Sequence, residues 1–360
     1  MATRMRLSWE RVELTKRHPL TISRGTIAGA TSVIVSVEAD GIVGRGEMAP
    51  SSVTGDTPES GEADLAGWQM QLETRHPLQR QLIEADIAAA DGECGGSATR
   101  CALDVALHDW AGQRAGLALW KLWGLDRDCI APTSLTVGLN PPDVVRQVTT
   151  EILTRTKARI LKVKLGSPAG LDHDRDVFRA AVEAAAAFAP ITWRVDANGG
   201  WTVLSAQIMI PWLAEHGVEM VEQPLAKGDE DGLVALHHFS VLPIFVDESV
   251  STARDIVWLA DRVDGVNLKL MKTGGITEAI RLIHTARAHG LNVMIGCMGE
   301  SSLSIAAGAH LAPLVDAIDL DSHLNLINDP FTGTQFVNGR VLPGDGPGLG
   351  ITRRSQEHTS

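Results

Sequence analysis

After residue 126 the chain repeats one pattern: a short apolar run that reads as a strand, a charged or polar residue closing it, and then helical spacing. The runs fall at 134–139, 160–165, 192–196, 218–222, 244–247, 265–269, 292–297 and 317–321, with helical stretches such as 180–189 and 277–289 between most of them. Eight strands at intervals of roughly 22–32 residues, within about 190 residues, match a closed parallel barrel rather than an open sheet. The last run lacks a following helix. Residues 322–350 are rich in Gly, Pro and Asn, so the chain is expected to leave the barrel there and return to the N-terminal unit.

That unit reads differently. From 7 to 47 the pattern is β, with the β-branched stretch 31–39 and an Asp40-Gly41 turn into Ile42-Val43-Gly44. Residues 55–58 read as a loop and 62–124 as helical, which together make an α+β unit. A chain of 360 residues has room for a barrel with one extra domain. The expected division is an N-terminal capping domain over 1–125, a barrel over 126–324 and a returning C-terminal segment over 325–360.

Composition narrows the partners. With 32 basic and 44 acidic residues the formal charge is −12, and no run of Lys or Arg appears, so neither nucleic acid nor an anionic membrane is an expected partner. Small solutes are. Cys94, Cys101, Cys129 and Cys297 form no CxxC pair, which points to a reducing compartment. The first fifteen residues lack the apolar core of a signal peptide, and no apolar run reaches the roughly 18–20 residues of a membrane span. A cytoplasmic, soluble protein is expected, possible homo-oligomer included, with a polar tail over 353–360 that frays.

In a parallel barrel the chemistry sits at the C-terminal strand ends. Asp196 closes the third run before Ala197-Asn198-Gly199-Gly200, Glu222 closes the fourth and Asp247 the fifth. Three carboxylates on neighbouring strands, with no His or Cys among them, make a hard-oxygen site suited to Mg²⁺ with positions left for water and substrate. On the second run Lys162 and Lys164, spaced i, i+2, share a face, and Lys269 closes the sixth. In a ring of eight, strands two and six are opposite, so Lys164 and Lys269 face each other across the cavity. Such a pair suits two-base chemistry, one lysine removing a proton and the other returning one to the opposite face. A carboxylate substrate on the cation would have its enolate stabilised there. The base must be neutral, and the Lys162 ammonium with the cation should push Lys164 down from the free value of about 10.4.

These motifs, with Asn-Leu-Lys-Leu-Met-Lys-Thr-Gly-Gly-Ile at 267–276, Gly-Cys-Met-Gly-Glu-Ser at 296–301, Gly46-Glu47 and the closing Pro347-Gly348-Leu349-Gly350-Ile351, resemble the muconate-lactonizing-enzyme subgroup of the enolase superfamily. The resemblance spans nearly the whole chain. It implies a (β/α)₇β TIM-like barrel with an α+β capping domain, one Mg²⁺ per subunit on Asp196, Glu222 and Asp247, and Lys164 and Lys269 as the acid/base pair; Lys bases with Mg²⁺ are a known pattern of that superfamily. Asp319-Leu320-Asp321 is similar to the dipeptide epimerases, in which such a pair holds the substrate's free α-ammonium. The same resemblance puts Thr136, Lys162, Cys297, Gly299, Asp319 and Asp321 at substrate contacts. It places Arg24 in a capping loop where a side-chain carboxylate would pair with it. The implied activity is 1,1-proton transfer at the C-terminal α-carbon of a dipeptide, L-Ala-D/L-Glu from cell-wall (murein) peptide turnover being the expected substrate. A muconate cycloisomerase or an N-acylamino acid racemase would use the same lysines and metal.

Simpler roles compete residue by residue. A lone carboxylate at a strand end often caps the next helix, the Asp319-x-Asp321 pair suits a second cation or capping, and Arg24 equally suits a structural ion pair. Lys272, Asn198, Glu248 and Glu300 are expected to support their neighbours. The twelve histidines form no HxxH or HExxH pattern, and His323 reads as a loop residue.

Overall fold

The computed structural model describes residues 4–91 and 96–355; Cys94 and the tail beyond 355 lie outside the described residues. The chain opens with an antiparallel sheet of β1 (Arg6–Ile22), β2 (Gly25–Ala39) and β3 (Ile42–Met48), followed by α1 (Pro58–Leu72), α2 (Arg80–Asp91), α3 (Ser97–Ala115) and the short α4 (Leu119–Leu122). Thr57 caps α1 in a capping box with Ser60, which satisfies amides that the first turn cannot pair internally. The sheet packs on α3 at close range. A Cβ at Gly46 would lie 1.9 Å from the Ala102 carbonyl oxygen, so only glycine allows the helix to approach this strand so nearly.

Eight parallel strands follow: β4 (Ser134–Val137), β5 (Ile160–Lys164), β6 (Thr192–Asp196), β7 (Val218–Glu222), β8 (Ile244–Val246), β9 (Gly265–Lys269), β10 (Asn292–Gly296) and β11 (Ala317–Asp319). They lie in sequence order in one sheet, and its two edges meet where Thr133 bridges Ile318 and the Ser134 hydroxyl donates to Asp319 at 2.6 Å. Between them run α5 (Pro142–Thr156), α6 (Leu171–Ala185), α7 (Val203–Glu215), α8 (Glu230–Phe239), α9 (Ala253–Leu259), the pair α10 (Leu270–Thr273) and α11 (Ile276–Ala288), and α12 (Ser302–Leu311). The eight expected strands are present. Asp247, Cys297 and Asp321 lie just past their strands rather than within them, because the turns into the next segments begin earlier than the apolar runs suggest. The helix expected at 180–189 runs instead from Leu171, since Asp172 and Asp174 occupy a first turn, where carboxylates are favoured.

Strand alternation divides the side chains. Leu161, Val163, Val195, Val221 and Leu268 are fully buried against the helical layer, while the alternate residues point into the barrel. At its bottom Met220, Phe245, Met294 and Ala317 form an apolar plug. Gly265 makes room for it, because a Cβ there would meet the Phe245 ring at 2.3 Å. Above the plug the interior turns from apolar to charged, so the barrel floor is sealed and only the C-terminal end is open to chemistry.

After β11 the chain forms a 3₁₀ turn, Ser322–Asn325, and short hairpins instead of a helix. Its side chains tie back to the N-terminal elements: Asn325 exchanges hydrogen bonds with the His18 backbone, Arg353 pairs with Glu10, and the Leu349 amide donates to Asp109 at 2.8 Å. The N-terminal elements also cover the open end of the barrel. Ser301, at the start of α12, donates from its amide and hydroxyl to the buried Glu47, and Ser23 and Arg24 donate to the Asn198 carbonyl. Among the described residues no helix is long and apolar enough to cross a membrane.

Candidate active site

The interior residues of β5 to β9 build the charged layer. Asp196, Glu222 and Asp247 come from the ends of β6, β7 and β8, and one oxygen from each lies within 4.8 Å of the others. All three are almost completely inaccessible. Burying three carboxylates is costly unless positive charge compensates them, and four lysines surround them. Lys164 donates to Asp196 at 2.5 Å, Lys269 to Asp247 at 2.6 Å and Lys272 to the other Asp247 oxygen at 2.6 Å. Lys162 lies deeper, donating to Glu222 at 3.0 Å and to Asp319.

The charges perturb one another strongly. Burial raises Glu222, Asp196 adds to the effect and Lys162 only partly offsets it, leaving the carboxyl at about 7. Burial would likewise raise Asp247, yet Lys269 and Lys272 outweigh it and hold the group far below the usual carboxylate range. For Lys269 burial acts downward and the charges of Asp247 and Glu222 override it, so the ammonium lies well above the ordinary lysine value. Those carboxylates are the ones a divalent cation would neutralise. At Lys272 burial prevails and lowers the pKa.

The donor set fits Mg²⁺. It is all hard oxygen on three adjacent strand ends. Nearby, Asn198 Oδ1, Glu248 Oε2 and Asn267 Oδ1 are buried acceptors without a hydrogen-bond donor among the described residues, and water carried by a cation would supply such donors. Asp196 is also oriented by the Asn198 amide at 2.7 Å, and Glu222 by Asn267 Nδ2 at 2.6 Å. Asn198 holds a left-handed φ of 46° to make that turn.

A cavity of about 540 Å³ opens above this layer, between the strand ends and the N-terminal elements. Lys162, Lys164, Asp247 and Lys269 form its floor, Asp319, Asp321, Thr136, Cys297 and Gly299 one side, and Arg24 another. Asp196 and Glu222 lie beneath the lining. Each residue singled out from the sequence is therefore in or under one cavity, though not with equal freedom. Asp319 is committed to Lys162 and Ser134, whereas Asp321 accepts from the Thr136 amide at 2.6 Å and from the Cys297 thiol at 3.9 Å and still faces the opening. Arg24 donates to Glu248 at 2.6 Å as well as to the Asn198 carbonyl. Leu20, Ile22, Ile27, Pro50 and Val53 give the wall beside it an apolar character.

Sequence reasoning missed two contributors, Asn267 and Gln223, and left the partner of a third, Lys272, unspecified. Asn267 sits two residues before Lys269 on the same strand, so the i, i+2 rule would have placed it inside. Lys272, expected to support its neighbours, does so as a direct partner of Asp247, because α10 turns straight back over the strand end. Gln223, with a φ of 35°, accepts from the Asp247 and Ser249 amides and so fixes the third carboxylate's turn; no local sequence signal marks that role.

Residues 8–124 match the mandelate racemase/muconate lactonizing enzyme N-terminal domain, and residues 144–357 match the enolase C-terminal domain-like family. A hydrophobic dipeptide epimerase of Roseobacter litoralis is 48% identical over 96% of this chain and 98% of its own. An L-Ala-D/L-Glu epimerase of Bacteroides thetaiotaomicron is 34% identical over 97% of this chain and 88% of its own. Among solved structures, a dipeptide epimerase from Enterococcus faecalis, complexed with Mg and L-Leu-L-Tyr, superposes with a TM-score of 0.89 at 31% identity, covering 97% of this chain and all of that one.

Proposed function

The chain belongs to the mandelate racemase/muconate lactonizing enzyme family of the enolase superfamily, and from that premise we propose that it is a Mg²⁺-dependent dipeptide epimerase. One observation carries the reading. Lys164 and Lys269 stand on opposite strands of the ring, flanking the three-carboxylate cluster, and Asp321 faces the same cavity from the strand side opposite that cluster.

Asp321 binds the substrate's α-ammonium by a charge-assisted hydrogen bond, and Asp319, held by Lys162, adds its field. The dipeptide then spans the cavity with its C-terminal α-carbon between the two lysines. Asp196, Glu222 and Asp247 would hold Mg²⁺, which would supply charge compensation for the substrate carboxylate and for the negative charge that grows as the α-proton leaves. The neutral lysine on one face takes that proton, and the ammonium on the other face gives one back, inverting the centre. The two lysines exchange protonation states, and solvent resets them. Lys272 and Lys162 act as fixed positive charges that keep Asp247 and Asp319 in place. The cavity is covered by the N-terminal elements, which limits water and strengthens each charge interaction.

The side chain of the epimerised residue meets the wall beside Arg24. That guanidinium is already paired with Glu248 and its surroundings are apolar, which favours a hydrophobic residue. A second reading, L-Ala-D/L-Glu epimerisation, is favoured by the 41% of the Arg24 side chain left exposed, from which it can reach a substrate carboxylate. Proton NMR of Ala-Leu and Ala-Glu dipeptides in D₂O with Mg²⁺ separates them, by comparing how fast each loses its C-terminal α-proton signal. Turnover of muconate or an N-acyl amino acid without dipeptide exchange would overturn the epimerase reading.

A further inference from the structure

The mechanism gives no task to Lys16, although its side chain lines the cavity. It lies on β1, where its backbone bridges Leu326 of the returning segment. From there the chain reaches the loop after β10, and a Cβ built at Gly299 would lie 3.7 Å from Lys16 Nζ. Among the described residues this ammonium forms no ion pair. The nearby Glu300 is buried under the loop, with its oxygens taken by the Met298 amide and the Ser304 hydroxyl.

The other charges on this side are accounted for. Asp319 is held by Lys162, and Asp321 is the partner of the substrate ammonium in the epimerase reading. His18 contacts Glu151 at 3.0 Å, and Arg155 donates to the Leu324 carbonyl at 2.8 Å while Glu151 also acts on its charge. Of the lysines that line the cavity, Lys162, Lys164 and Lys269 are in ion pairs, and Lys16 is in none among the described residues.

The position identifies which part of the substrate would feel it. Gly299 lies two residues after Cys297, whose thiol contacts Asp321, so Lys16 is on the α-ammonium side of the cavity. An α-ammonium on Asp321 puts the N-terminal residue's α-carbon one bond away and its side chain toward this loop. Resting on the dipeptide epimerase reading, we infer that Lys16 is a specificity residue that favours dipeptides whose N-terminal residue carries an anionic side chain. Gly299 keeps the path clear, since a side chain there would crowd the ammonium.

The test compares Glu-X, Gln-X and Lys-X dipeptides, X being whichever of Leu or Glu exchanges faster behind Ala, by α-proton exchange in D₂O. Glu and Gln are isosteric, so their ratio isolates charge. In the unmodified enzyme kcat/KM for Glu-X should exceed that for Gln-X by about threefold to fivefold, the scale of a partly exposed ion pair. Lys16→Met should bring the ratio to about one through KM with kcat unchanged, Lys16→Arg should keep it, and added salt should shrink it. A ratio near one before mutation, or one unmoved by Lys16→Met, overturns the role of Lys16. Absence of exchange with every dipeptide, Ala-X included, overturns the epimerase reading and this inference with it.

Discussion

Replacing Lys162 by methionine removes one charge from the deepest part of the site and keeps nearly the same shape. The ammonium is 2% exposed and contacts Glu222 at 3.0 Å, Asp196 at 3.8 Å and Asp319. Breaking a buried ion pair from one side costs about 3–5 kcal/mol, because the partner is left charged without compensation. Here each carboxylate keeps another partner: Lys164 and the Asn198 amide for Asp196, Asn267 for Glu222, Ser134 for Asp319. The lower figure, about 3 kcal/mol, is therefore expected in the absence of divalent cation. For a chain of 360 residues that is a fall in Tm of roughly 4 °C. Mg²⁺ should recover more of it than it adds to the unmodified protein, since the cation replaces the missing charge. At a hundredfold excess over Kd the gain for the unmodified protein is about 2.7 kcal/mol, and the variant should gain more. Thermal unfolding followed by circular dichroism, with EDTA and with Mg²⁺, reads both quantities. A loss under about 1 kcal/mol, or the same Mg²⁺-induced shift in both proteins, would refute the view that Lys162 neutralises the carboxylate layer.

Asp321→Asn keeps the hydrogen bond from the Thr136 amide but removes the charge facing the cavity; steady-state kinetics should show KM for dipeptides raised about tenfold or more, the cost of losing a charge-assisted bond. A buried neutral histidine makes a different, pH-dependent signature. His310, with its pKa lowered by burial to about 4, stays neutral when folded while the unfolded chain takes up a proton near 6.5. Its share of stability is thus present above about 6.5 and lost as pH falls toward 4, roughly 3 kcal/mol in all. Buried Glu47, raised by burial to about 7, opposes this trend by stabilising the folded state at lower pH. The difference in urea midpoints between the unmodified protein and His310→Gln, measured from pH 7 to 4.5, isolates the histidine and should shrink as pH falls.

The barrel was legible because its signal is periodic: apolar runs of strand length recurring at the interval of a βα unit leave few alternatives. The three carboxylates and two lysines were legible for a related reason, since a parallel barrel forces the residues at strand ends onto one face. What the sequence concealed was pairing. Nothing in Asp319-Leu320-Asp321 says that Lys162 pairs with the first aspartate and leaves the second without an ion pair, because that depends on the closure of β11 against β4 across the ring. Arg24 read as a substrate contact, and only the fold brings Glu248 beside it from the opposite side of the domain contact. Gln223 and Lys16 were silent for the same reason. The Asp247 and Ser249 amides that Gln223 accepts from, and the Gly299 loop that Lys16 reaches, are distant in the chain, and the local sequence of both resembles any strand end or edge.

The central claim is that Lys164 and Lys269 are the two bases on opposite faces of one carbon. The direct measurement is α-proton exchange in D₂O with each stereoisomer of the best dipeptide, using Lys164→Ala and Lys269→Ala, after confirming by calorimetry that both variants bind Mg²⁺. The account predicts that neither variant epimerises, and that each retains α-proton exchange with only one stereoisomer, opposite in the two variants, because the remaining lysine still faces its own side. Full epimerisation by either variant, or loss of exchange with the same single isomer in both, would contradict it.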